Sequence, residues 1–158
     1  RHSLSRLQQT SLNPMTNTLP AFYCFFREQL PVPGSHAPGV RYPACEWQVS
    51  GDAVEVARHP MNRFVCSWLT SDMTDVARCD EVLAAIRQLE NQHLIEWFVD
   101  GEMFCVALTR DGVQFNQSNV GPEDVEWWNL PEGRFTLDEV HALLQSWRSF
   151  LVRVDGLG

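Results

Sequence analysis

Five cysteines (Cys24, Cys45, Cys66, Cys79, Cys105) and five histidines (His2, His36, His59, His93, His141) are the residues from which a nucleophile or a metal centre would be built. The cysteines are spread along the chain with no Cys-x-x-Cys pair and no Cys/His ligand spacing, which excludes the usual zinc patterns. The candidate thiol–imidazole pairs are Cys66 or Cys105 with His59 or His93. Both cysteines stand in apolar runs that read as buried strands, where a thiol holds its proton and reacts slowly. Glu90-Asn-Gln-His93 is a single Glu-x-x-His, and no second such motif exists to complete a helical metal site. His141 follows Asp138 by three residues, the spacing of a solvated pair on one helix face.

Carboxylates are the other source of chemistry. Asp100 and Glu102 flank a hairpin turn, and Glu123, Asp124 and Glu126 crowd a polar connector. A two-carboxylate hydrolase needs one acid held in an apolar pocket with a raised pKa, and neither setting reads as apolar. Gly-x-Gly-x-x-Gly, Walker A and Gly-x-Ser-x-Gly are all absent. The reading is therefore a non-enzyme with no cofactor and no metal, a small thiol or carboxylate hydrolase being the remote alternative.

The charge distribution points elsewhere. Residues 94–158 hold eleven acids against four arginines, whereas residues 1–93 hold nine against eight. The acidic part also holds four of the six tryptophans, two adjacent in Gly-Pro-Glu-Asp-Val-Glu-Trp-Trp-Asn (Gly121 to Asn129). A net charge of −8 and no adjacent arginines disfavour nucleic acid as a ligand. Acids interleaved with large aromatics suit a surface that docks a basic protein, the acids steering it and a tryptophan anchoring it. Trp127 and Trp128 are expected on opposite faces of their segment, one of them exposed.

These residues need a scaffold. With 158 residues and 44% hydrophobic content, one folded domain is expected over 19–154, and 1–18 reads as a disordered tail or sequence upstream of a start at Met15. Reduced, buried cysteines and the lack of a membrane-length apolar run suggest the cytoplasm. Ala21 to Arg27 reads as a strand and Pro31 to Gly39 as an exposed loop. Ala44–Val49 and Ala53–Ala57 read as a hairpin about Ser50-Gly-Asp52, followed by a strand over Phe64–Leu69. Val76, Cys79, Val82, Leu83, Ile86 and Leu89 recur at helical spacing behind a Thr74 cap. Leu94 to Phe115 reads as a meander turning at Asp100-Gly101 and at Arg110-Asp111-Gly112, and Val125–Trp128 as an edge strand or loop. Thr136-Leu-Asp-Glu139 is a capping box opening a helix striped by Val140, Leu143, Leu144, Trp147, Phe150 and Leu151. The order strands, helix, meander, helix is an α+β fold with mainly antiparallel strands.

The run Ile95-Glu-Trp-Phe-Val-Asp-Gly-Glu-Met-Phe-Cys-Val, Trp128, and the ending Leu144-Gln-Ser-Trp-Arg-Ser-Phe-Leu151 resemble the C-terminal halves of bacterial immunity proteins. Those proteins neutralise toxins of contact-dependent, Rhs or type VI secretion systems. The resemblance spans Leu94 to Leu151, brings no catalytic residues, and implies an inhibitor that covers its cognate toxin's active or substrate-binding surface. The expected contact residues are Asp100, Glu102, Asp111, Glu123, Asp124, Glu126, Trp127 and Trp128. An adaptor or accessory protein using the same acidic face for a basic partner is the alternative.

Overall fold

The computed structural model describes residues 21–157, so the expectations for the N-terminal tail lie outside the described residues. Strands β1 (Phe22–Gln29) and β2 (Val40–Trp47) form an antiparallel hairpin across the exposed Pro/Gly loop. Helix α1 (Ala53–Arg58) follows, then a π-helical stretch, Met61–Cys66, that runs directly into α2 (Ser67–Asp72). Helix α3 (Val76–Glu90) leads to the meander β3 (Glu96–Asp100), β4 (Phe104–Thr109) and β5 (Gly112–Gln117). A single 3-10 turn, Pro131–Gly133, precedes the two-residue β6 (Arg134–Phe135), and α4 (Leu137–Leu157) closes the described chain. The second sheet is antiparallel throughout in the order β3-β4-β5-β6. The fold class is α+β, as the order of patterns predicts.

One face of the four-stranded sheet, carrying Val99, Phe104, Val106, Leu108, Val113 and Phe115, shares a continuous core with Trp68, Leu69, Ile86, Leu89, Leu143, Leu144 and Trp147 from the helices. Trp147 also donates its indole N–H to the Met73 carbonyl at 2.7 Å, tying α4 to the α2–α3 junction. Thr136 and Glu139 form the expected capping box, the Glu139 N–H reaching Thr136 Oγ1 at 3.0 Å and Glu139 Oε1 accepting the Thr136 N–H at 2.9 Å. At α3 the cap is Asp75 rather than Thr74: its Oδ1 accepts the Arg78 N–H at 2.8 Å.

Two expectations fail for physical reasons. The hairpin expected across Ser50-Gly-Asp52 is the start of α1. Asp52 Oδ1 accepts the Glu55 N–H at 2.9 Å and Glu55 Oε1 accepts the Asp52 N–H at 3.0 Å, a second capping box that wins over five residues of ambiguous alternation. Gly51 precedes it at φ 126°, a conformation that side chains rarely adopt. The strand expected over Phe64–Leu69 is helical. Phe64, Cys66 and Trp68 alternate as in a strand, but the run's partly exposed polar residues Arg63, Ser67, Thr70 and Ser71 recur at helical spacing, a narrow stripe beside Met61, Asn62, Phe64, Val65, Cys66, Trp68, Leu69 and Asp72, which are all buried. Within it the Asn62 amide accepts the Trp47 N–H at 2.6 Å and donates to the Trp47 carbonyl at 2.8 Å, acting as a substitute strand partner for the end of β2. Of the two alternatives for Val125–Trp128 the loop holds, as a run of turns, and β6 takes the place beside β5.

Candidate partner-binding face

Strand alternation places Glu96, Phe98 and Asp100 of β3, Cys105, Ala107 and Thr109 of β4, and Gln114 and Asn116 of β5 on the sheet face away from the core. Gln114 and Asn116 are nevertheless buried. The chain from Ser118 to Leu130 folds back over β5, and these two amides hold it there. Asn116 Oδ1 accepts the Asn129 N–H at 2.8 Å while Asn116 Nδ2 donates to Asn129 Oδ1 at 3.1 Å, and Gln114 Nε2 donates to the Leu130 carbonyl at 3.0 Å. Asn129 sits at φ 55°, a left-handed conformation that Asn tolerates better than most residues. At its other end the segment is tied to the β3–β4 turn: Ser118 Oγ donates to the Glu102 carbonyl at 2.7 Å and the Ser118 N–H to the Met103 carbonyl at 3.1 Å.

The acidic run sits on this anchored segment. Asp124 is half-buried and engaged in its own turn, its carboxylate accepting the Gly121 N–H at 3.0 Å and its carbonyl accepting the Trp127 and Trp128 amides. Asp124 is therefore a positioning group. Glu123, Val125, Glu126 and Trp127 are exposed, Trp127 by 54%, while Trp128 is half-buried, so the two tryptophans have different environments.

The structure brings Asp100 and Glu102 to the end of the sheet where this segment starts, together with the exposed Phe98 and Met103. It does not bring Asp111 there. A hairpin alternates its turns between opposite ends, and β4 is six residues long, which separates Asp111 from Glu102 by roughly 17–20 Å. Arg110 adjoins Asp111, and the Arg134 guanidinium covers Gly112, where an added Cβ would lie 2.9 Å from Nη2. The Asp111 end is mixed in charge and lies apart from the cluster formed by Asp100, Glu102 and the acidic run. Missing from the sequence reading were Ile95, Glu96, Trp97 and Phe98. No local signal marks them as exposed, since apolar residues at both parities of a short strand read as a strand buried on both faces.

The β3–β4 turn owes its shape to Asp72, which is buried at the end of α2. The expected Asp100-Gly101 turn is displaced by two residues, and Glu102-Met103 forms the reversal, with the Gly101 N–H donating to the Phe104 carbonyl at 2.9 Å. Neither Glu102 nor Met103 has positive φ, as the favoured two-residue hairpin turns would require. The Phe104 N–H turns to Asp72 Oδ2 at 3.0 Å, and the Met103 N–H to Asp72 Oδ1 at 3.1 Å. Gly101 is needed for space, since a Cβ there would lie 2.6 Å from Asp72 Cγ.

The candidate cysteines and histidines have other engagements. Cys66 is buried in the π-helical stretch rather than a strand, and His59 Nδ1 accepts the Met61 N–H at 3.2 Å. Cys105 lies opposite Asp100 at one end of β3, whereas His93 precedes the other end. His141 pairs with Glu90 of α3 at 3.4 Å, not with Asp138. Among the described residues no three His, Cys, Asp or Glu side chains are grouped to hold a metal ion. Likewise no helix of the described residues is long and apolar enough to cross a membrane. The chain matches no protein-family model, no curated protein and no solved structure.

Burial pushes the Cys24 thiol up to about 12 and the Cys79 thiol to about 11, and it also raises Cys45. A group held protonated in the folded state contributes full stability below its unfolded pKa, near 9, and loses it as pH rises through the folded value. Stability is thus expected to fall between pH 9 and 11 by about 1.4 kcal/mol per pH unit for each such thiol. Urea unfolding from pH 8 to 10.5 checks this. A Cys24→Ala/Cys79→Ala variant should show the shallower decline, and equal slopes would mean that these thiols are hydrated.

Proposed function

We propose that this protein is a non-catalytic binding protein that receives a basic protein surface on its acidic, aromatic face. On the resemblance given above, it would be an immunity protein that covers the active or substrate-binding surface of a bacterial toxin. The observation that carries the reading is the exposure of Glu123, Glu126 and Trp127 on a segment that two buried amides hold in place. A pre-positioned aromatic anchor loses little freedom on binding. Rim acids speed the approach of a basic partner and repel acidic ones. Such a partner's arginines and lysines, kept for phosphate or other anionic substrates, would be occupied by the contact.

Capture from the source lysate should yield a basic partner. Glu123→Arg with Glu126→Arg is expected to weaken that complex at least tenfold, mainly through slower association, and to flatten its salt dependence. An unchanged Kd would show that the partner binds elsewhere. Loss of growth protection when the captured protein is co-expressed with the variant would support the immunity reading. A captured partner that is harmless without this chain would favour an adaptor.

A further inference from the structure

We propose that β3 accepts an extended, basic segment of the partner as an added strand beside it. The inference rests on the reading of this face as a docking surface and assigns the contact that organises it.

β3 is one edge of the four-stranded sheet, and the other edge, β6, has only two residues before the chain turns into α4. The bond from the Gly101 N–H to the Phe104 carbonyl sets the alternation of the ladder. Val99 and Trp97 therefore bond to β4, while Glu96, Phe98 and Asp100 point their backbone groups away from the sheet. Arg78 Nη2 occupies the Asp100 carbonyl at 3.3 Å. Among the described residues the outward amides and carbonyls of Glu96 and Phe98 meet no partner. Exposed edges are usually blunted by charged side chains, above all lysine, by proline, by a bulge or by a cover. β3 has no lysine, proline or bulge, its charges are the acids Glu96 and Asp100, and among the described residues only Arg78 reaches its outer backbone; it exposes Phe98 by 60%, Trp97 by 39% and the preceding Ile95 by 87%.

Charge selects the occupant. Glu96, Phe98 and Asp100 share one face, so an added strand meets acid, aromatic, acid at alternate positions. The complementary segment carries Arg or Lys, an apolar residue, then Arg or Lys, each separated by one residue. A second copy fits poorly. Antiparallel self-pairing centred on Phe98 sets Glu96 against Asp100 of the copy, and pairing centred on Trp97 sets Glu96 against Phe98.

The test uses the whole chain and the heptapeptide Thr-Arg-Thr-Val-Thr-Arg-Thr at up to millimolar concentration, with amide hydrogen exchange read residue by residue. At saturation the Glu96 and Phe98 amides are expected to exchange at least tenfold more slowly, with little change at Trp97 and Val99. A peptide N-methylated at its valine, which keeps both charges but loses the central donor, should bind at least tenfold more weakly, as should a peptide with Glu in place of Arg. Equal binding of the N-methylated peptide without protection of Glu96 and Phe98 would overturn strand addition while leaving the acidic-face reading intact. Equal binding of the Glu peptide would overturn the choice of a basic segment, and absence of saturable binding would overturn the proposal. Protection of the same amides in the chain alone, rising with its concentration, would assign the edge to a second copy instead.

Discussion

Asp72→Ala is expected to destabilise the fold by about 2–4 kcal/mol. The carboxylate is buried and accepts the Met103 and Phe104 amides at 3.0–3.1 Å. Hydrogen bonds to a charged group contribute about 1.5–3 kcal/mol each, and a buried amide left without an acceptor carries its full desolvation penalty. The Phe104 amide is the critical one, because its geometry prevents it from closing the turn locally. Asp72→Asn keeps one acceptor oxygen and should lose less. Gly101→Ala alone should also be destabilising, since its Cβ would meet the Asp72 carboxylate. In the Asp72→Ala background the two closest contacts are gone and only the Cβ at 3.0 Å remains, so the two substitutions should be non-additive by about 1 kcal/mol or more in a double-mutant cycle followed by urea unfolding. Additive effects would show that the clamp described here is not what shapes the turn. Because the turn leads directly out of β3, the weakened variant should also show faster amide exchange through Val99.

Trp147→Ala is the second large effect, expected at about 3–5 kcal/mol from lost packing alone. Trp147 is 1% exposed, packs against Phe150, and satisfies the Met73 carbonyl. Since a domain of this kind is stable by about 5–15 kcal/mol, the alanine variant should be near the limit of folding. Trp147→Phe separates the contributions, retaining an aromatic ring while leaving the carbonyl unpaired. A urea midpoint much nearer to wild type for Phe than for Ala would mark packing as dominant. Equal losses would mark the indole bond as the larger effect.

The elements that were legible from sequence are those with one wet face. α3 and α4 carry an apolar stripe between charged residues, and the Thr136/Glu139 box announces where α4 starts. The meander showed itself through Gly101 and Gly112. Met61–Asp72 misleads because Phe64, Cys66 and Trp68 alternate as a strand would, while its polar stripe of Arg63, Ser67, Thr70 and Ser71 is narrow and only partly exposed, and α1 because the same Asp52 can close a hairpin turn or cap a helix. The acidic segment was found because Glu123 to Trp128 are contiguous. Its extension was not, since which strand lies at an edge is a property of pairing order. Asp111 stands apart from the other acids because turns that are near in sequence lie at opposite ends of the sheet. The roles of Asn116 and Gln114 have no local signal, as each bonds a segment 13 to 16 residues away.

The way Asn116 and Gln114 hold their segment separates two demands that many loops must meet together. They grip the chain at Asn129 and Leu130, largely through its backbone, while Ser118 secures the start. The side chains of Glu123, Val125, Glu126 and Trp127 contribute none of these bonds. Changes at those four positions therefore leave the grip intact, and a new binding preference can arise there by substitution alone. The molecule is in this sense a fixed handle carrying a replaceable tip.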